Sequence, residues 1–300
     1  MAAPLETFEK TAENRMTDRA QTILKKVFGF STFRPLQREV IASILAGNDT
    51  LAIMPTGGGK SLCYQIPAQL FSGLTVVVSP LIALMKDQVD QMQRFGVGAL
   101  MLNSALPPDA YRHNVAQVAS GAARLLYVAP ETLMMPRTLD LLAKTDLDCL
   151  AVDEAHCISE WGHDFRPEYR QLVQIRNQFP KAVCTAFTAT ATPRVRKDIQ
   201  TTLGFKRADT FVGSFNRENL FLQVVPKQNP ATQIKRLIQK LPEQSGIIYC
   251  ATRKQVDALT DFLQAQGIGA LGYHAGLTDQ LRKTHQERFI LDDARIMVAT

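Results

Sequence analysis

No apolar run in this 300-residue chain reaches the roughly 18 residues a membrane-spanning helix needs, so no membrane partner is expected. The opening stretch MAAPLETFEKTAENRMTDRAQ lacks an apolar h-region and is not a secretory signal. Cysteine is sparse. Cys63, Cys149, Cys157, Cys184 and Cys250 are scattered and form no C-x-x-C pair, which indicates neither a zinc site nor a disulfide framework. Such thiols read as reduced and mostly buried. There is no low-complexity segment and no fixed-period repeat. What is present is an ordinary globular composition, 46% hydrophobic and 21% charged, for which a cytoplasmic location is the expectation.

The net charge is +6, unevenly spread. Residues 191–240 hold ten Lys/Arg against three Asp/Glu, so the rest of the chain is close to neutral. A local basic excess suits a polyanionic partner, and a solvated basic face accounts for it equally well.

The first 16 residues show no usable period and read as a flexible N-terminal tail. Apolar residues at helical spacing then predict a helix from Thr17 to Phe28 and a second over 35–46. From there short apolar runs at 50–54, 74–78, 99–102, 124–128, 148–152 and 182–187 alternate with helical segments. Continuous apolar strands between helices predict an α/β fold, a parallel sheet with helices on both faces. A polar, proline-containing stretch over 205–230 marks a boundary, giving a first domain over 17–207 and a second over 208–300. The second block alternates in the same way and ends on the strand 295–299.

The first strand, TLAIM, runs into Pro55-Thr56-Gly57-Gly58-Gly59-Lys60-Ser61 and then a helix. Glycines let the backbone turn tightly and bring N–H groups against phosphate oxygens, and a helix N-terminus adds its positive end. Lys60 is placed to reach the β- and γ-phosphates of ATP, and the Ser61 hydroxyl to coordinate Mg²⁺. Met54 stands where the usual pattern has its first glycine, so the strand–loop–helix context carries the assignment. The strand DCLAV ends in Asp153-Glu154-Ala155-His156. An Asp at the carboxyl end of a parallel strand faces the ligand crevice. Asp153 is expected to hold Mg²⁺, Glu154 to orient and deprotonate the attacking water, and His156 to touch both the nucleotide site and what lies across the cleft.

In this order the motifs resemble superfamily 2 helicases, and their surroundings resemble the RecQ family of DEAH-type DNA helicases. The stretch FGFSTFRPLQ (28–37) is similar to that family's adenine-recognition motif. The resemblance implies that Gln37 bonds the adenine edge while Arg34 and Phe30 stack on it. MPTGGGKSLCYQIPA (54–68) is similar to the family's nucleotide loop, and VVVSPLIALMKDQV (76–89) and LYVAPETL (126–133) to its DNA-contacting motifs. CISEWGHDFRPEYR (157–170) resembles the aromatic-rich loop that senses single-stranded DNA. Trp161 and Phe165 offer stacking faces worth roughly 1–3 kcal/mol each, and Arg166 can pair with phosphate or reach toward the nucleotide. Glu160 departs from the neutral residue expected there, so its side chain is expected to face away from DNA. Thr188-Ala189-Thr190 resembles the motif linking the acidic pair to the DNA side. His274 either lies near DNA backbone or is a turn histidine.

The resemblance covers residues 20–300 and implies a RecA-like P-loop NTPase with one complete lobe and an incomplete second one. It further implies ATP and Mg²⁺ as cofactors, single-stranded and partially duplex DNA as partner, other repair or recombination proteins, and the bacterial cytoplasm or nucleoid as location. The likeness breaks off within Arg295–Thr300, at the opening of a further motif. The expectation is therefore a 3′-to-5′ DNA helicase motor truncated at its C-terminus. Without an arginine finger it would be slower by about 10³–10⁵-fold. An RNA helicase of the same superfamily and an inactive nucleotide-binding fragment are the alternatives.

Overall fold

The computed structural model describes residues 5–205, 207–214 and 220–300, and for 5–14 the backbone alone. Seven strands form the first sheet: β1 (Asp49–Ile53), β2 (Leu74–Val78), β3 (Ala99–Leu102), β4 (Leu125–Val128), β5 (Leu147–Val152), β6 (Val183–Thr188) and β7 (Ala208–Val212). Their order is β3-β4-β2-β5-β6-β1-β7, and every pairing is parallel. Side chains alternate across a strand, so each apolar run supplies two cores. Val76, Val78, Leu51, Ile53, Leu150 and Val152 pack on one face, and Val77, Ala52, Ala151, Tyr127 and Phe187 on the other. Each fully buried aliphatic side chain contributes roughly 1.5–3 kcal/mol.

Two differences from the sequence reading have physical causes. The expected tail over 1–16 is corrected: a helix spans Leu5–Lys26. After Pro4 no glycine or proline intervenes before Gly29, and Glu, Lys, Ala, Met and Arg propagate a helix back from the turns that bury Ala20 and Leu24. Residues 1–4 lie outside the described residues. The second difference is β7, which lies past residue 207 yet pairs with β1 from Asp49↔Ala208 to Ile53↔Val212. An edge strand is half solvated and needs no continuous apolar run. The compact units accordingly divide later than expected, as Met1–Glu218 and Asn219–Thr300.

The second unit holds β8 (Gly246–Tyr249), β9 (Ala270–Tyr273) and β10 (Ile296–Ala299), parallel in the order β8-β10-β9. The last strand is thus the central one and is buried throughout. Its core is small: Val256, Leu263, Ala270, Ile296 and Val298. Among the described residues no helix is long and apolar enough to cross a membrane.

Candidate nucleotide site and aromatic loop

The strands β2, β5, β6 and β1 are neighbours, and their carboxyl ends carry Ser79, Asp153, Thr188 and the glycine loop. The ladder continues past the strand ends. Met54 N–H donates to Thr188 O at 3.0 Å, and Asp153 N–H to Val78 O at 2.9 Å. The candidate residues therefore share one edge, where ligands of open α/β sheets bind.

In the loop, Gly57 and Gly59 both take φ of +80°, a left-handed conformation that side chains resist. A Cβ on Gly58 would stand 2.9 Å from Pro55 O, and one on Gly59 would strike the Gln37 amide. Lys60 opens the helix Lys60–Ala68 and donates from Nζ to Met54 O at 3.3 Å. Ser61 follows in the first turn, half-buried, and Thr56 is exposed on the loop. Gln37 is buried: its Nε2 donates to Gly59 O at 2.9 Å and its Oε1 accepts from Arg34 N–H at 2.8 Å. The Arg34 guanidinium donates to Gly57 O. Both residues therefore brace the loop backbone, and of the three adenine candidates Phe30 alone presents an open ring, 48% exposed. Leu36, just before Gln37, has φ of +68°, a strain of about 1–2 kcal/mol that the surrounding packing must overcome.

Asp153 is buried at the end of β5, and desolvation, then the charge of Glu154, pushes its pKa up to about 6. Glu154 follows in a left-handed conformation, φ +48°. Its carboxylate lies 3.2 Å from His156 Nδ1, and that hydrogen bond holds it below the usual carboxylate range. Lys60 is near enough to favour the charged form of both acids. The same Nδ1 lies 3.0 Å from Thr188 Oγ1. That hydroxyl donates to Thr190 O at 3.1 Å and accepts from Thr190 N–H at 3.2 Å. With its one proton on Thr190 O, Thr188 Oγ1 accepts from His156, which places a proton on Nδ1. One hydrogen-bonded chain thus runs Glu154–His156–Thr188–Thr190. The Tyr169 hydroxyl donates to Asp153 O at 3.1 Å, and the His163 ring stacks on His156 at 4.0 Å.

After the 3₁₀ turn Ala155–Ile158 the chain doubles back, and Arg166 N–H donates to Cys157 O at 2.9 Å. Trp161 is 58% exposed and Phe165 36%. Arg166 points at neither acid of the pair. It donates to Pro80 O at 3.1 Å and to Asp164 at 3.1–3.2 Å, tying the loop to the end of β2. Glu160, expected to face away from DNA, pairs with Arg170 at 2.7 Å. The Arg194 guanidinium lies over the Trp161 ring, 3.3 Å from its centre. Arg194, His163 and Tyr169 escaped the sequence reading, because no local periodicity announces which side chains an irregular loop folds together. In the second unit His274 is a buried turn histidine, with Nε2 2.9 Å from Asp257 and Nδ1 accepting from Gly276 N–H at 3.1 Å.

Residues 34–199 match the DEAD/DEAH box helicase family. The ATP-dependent DNA helicase RecQ of Haemophilus influenzae is 44% identical over 281 residues, 94% of this chain and 45% of the relative. That of Bacillus subtilis is 44% identical over 287 residues, 95% of this chain and 49% of the relative. The chain therefore spans just under half the length of each. Among solved structures, the DUF1998 helicase MrfA bound to DNA superposes with a TM-score of 0.70 at 16% identity, over 94% of this chain and 44% of that one, a likeness of fold.

Proposed function

The chain belongs to the DEAD/DEAH box helicase family, in its RecQ branch, and from that premise we propose that it binds and hydrolyses ATP to drive movement along DNA. The observation that supports this best is the hydrogen-bonded chain from Glu154 through His156 to Thr188 and Thr190, which joins a catalytic carboxylate to the strand end beside the phosphate loop. The loop N–H groups of Gly57 and Gly59 cradle the phosphates, Gly58 N–H closes the turn on Pro55 O at 2.8 Å, and Lys60 neutralises the outer phosphates.

Ser61 and Asp153 would hold Mg²⁺, and the donor set fits: a hydroxyl and a buried carboxylate already destabilised by its neighbour. When bound, Mg²⁺ supplies charge neutralisation on the phosphate oxygens. Glu154, held below the usual carboxylate range, is ionised at neutral pH; it orients the attacking water and takes up its proton. Phe30 offers its face to adenine. Gln37 and Arg34, bonded to the loop carbonyls, pass the presence of a base on to the loop. Bases of single-stranded or partly duplex DNA stack on Trp161 and Phe165. Movement of that loop reaches Glu154 through His156, which is 4.0 Å from His163 of the loop. A 3′-to-5′ direction, work alongside repair and recombination proteins, and a place in the bacterial cytoplasm or nucleoid complete the reading.

The test is a pair of variants. Lys60→Ala is expected to lose binding of a fluorescent ATP analogue. Glu154→Gln is expected to keep binding and lose about 10²–10⁴-fold in hydrolysis. Hydrolysis at the parent rate in both would overturn the proposal.

A further inference from the structure

The Arg194–Trp161 contact occupies a surface that the proposed function needs. Trp161 is the aromatic face offered to a DNA base, yet the guanidinium of Arg194 already lies on it, 3.3 Å from the ring centre. Both side chains are exposed, so burial does not force them together. The loop is tied to the same helix at a second point: Glu160 pairs with Arg170 at 2.7 Å, and Arg170 lies 3.7 Å from Asp198. Asp198 and Arg194 both belong to the helix Pro193–Thr202. Arg194 is its second residue, where a cation opposes the helix dipole. The electron-rich ring face offsets that opposition.

We propose that Arg194 is a positioning residue of the single-strand site, parked on Trp161 when DNA is absent, displaced by an incoming base, and then paired with that strand's phosphate. Stacking of a base on an aromatic side chain outweighs an exposed cation–π contact, so the exchange runs toward DNA. The released guanidinium gains a charge-assisted partner. The ligand selected is a single strand that carries stackable bases; a bare phosphate backbone leaves Arg194 in place. This inference rests on the reading of Trp161 as a base platform.

Trp161 is the only tryptophan in the chain, so its fluorescence reports this ring alone. The experiment titrates the whole chain, as parent, Arg194→Ala and Arg194→Lys, with oligothymidylate and with an abasic oligomer of equal length. In Arg194→Ala the free protein's tryptophan should become more accessible to acrylamide. At high salt, where phosphate contacts are screened, its preference for the intact over the abasic strand should widen about two- to five-fold. The slope of log affinity against log salt should flatten by about 0.7, one phosphate contact on a single strand. Arg194→Lys should keep the slope and show an intermediate preference. The urea midpoint should not move, which separates this role from a structural one. The inference is overturned if intact strands quench the parent tryptophan but Arg194→Ala keeps the parent's preference and slope. If no intact strand quenches either protein, the base-platform reading fails first and this one with it.

Discussion

At the scale of single residues, the site holds a carboxylate where folding alone would not place one. Asp153 ionises near pH 6 in the folded chain and near 4 when unfolded. Between those values folding takes up a proton, so stability falls as pH rises through that window, and the full cost of about 3 kcal/mol is present above pH 6. Asp153→Asn should therefore stabilise the nucleotide- and Mg²⁺-free protein by about 2–3 kcal/mol at pH 7.5. The gain should vanish below pH 4 and be accompanied by loss of ATPase activity. Urea melts across that range check it; a gain that is independent of pH would contradict the assignment. Thr188 poses a separate question, since its hydroxyl is the link between His156 and Thr190. Thr188→Val keeps the shape and removes the link. It should leave ATP binding intact and cut DNA stimulation of hydrolysis by a few-fold to about ten-fold, in keeping with roughly 0.5–1.5 kcal/mol for a hydrogen bond. ATPase rates with and without oligonucleotide read this directly.

At the scale of elements, the helix Pro193–Thr202 serves two purposes. Thr192 caps it, its hydroxyl accepting from Val195 N–H at 3.3 Å, and Pro193 sets its first φ. Val195 and Ile199 anchor it in the core beneath the aromatic loop's tether points. Thr192→Ala should cost about 1 kcal/mol in a urea melt. Because Arg194 sits in the first turn, the same change should also shift the Trp161 emission. A melt that moves with no change in emission would mean that the cap does not govern where Arg194 lies.

At the scale of the whole molecule, the two compact units differ in how much they bury. The first has cores on both faces of a seven-stranded sheet, with Tyr64, Tyr127, Tyr169 and Phe187 wholly enclosed. The second buries Val256, Leu263, Ala270, Ile296 and Val298 on three strands, and leaves Ile247 51% and Tyr249 77% exposed on β8. Burial sets the free energy of local opening. Amide exchange should therefore be orders of magnitude faster in β8 and β10 than in β2 and β5, and melting should depart from a single two-state step. Equal protection in the two sheets would show that the units unfold as one.

What the sequence determined by itself was local chemistry. Strict alternation of apolar runs and helices fixed a parallel sheet, since only strands buried on both faces read as continuous runs. Three glycines before Lys60 and Ser61, and Asp153-Glu154 at a strand end, marked the candidate nucleotide site, because those residues sit within a few consecutive positions. Tertiary structure decided everything that depends on pairs brought together by folding. β7 was added to the sheet by pairing with β1, although its own residues carry a weak pattern. Gln37 was turned onto Gly59, Arg166 onto Pro80, and Arg194 onto Trp161. Long polar side chains have many partners within reach, and only the folded backbone chooses among them, so their final contacts are not written in local spacing.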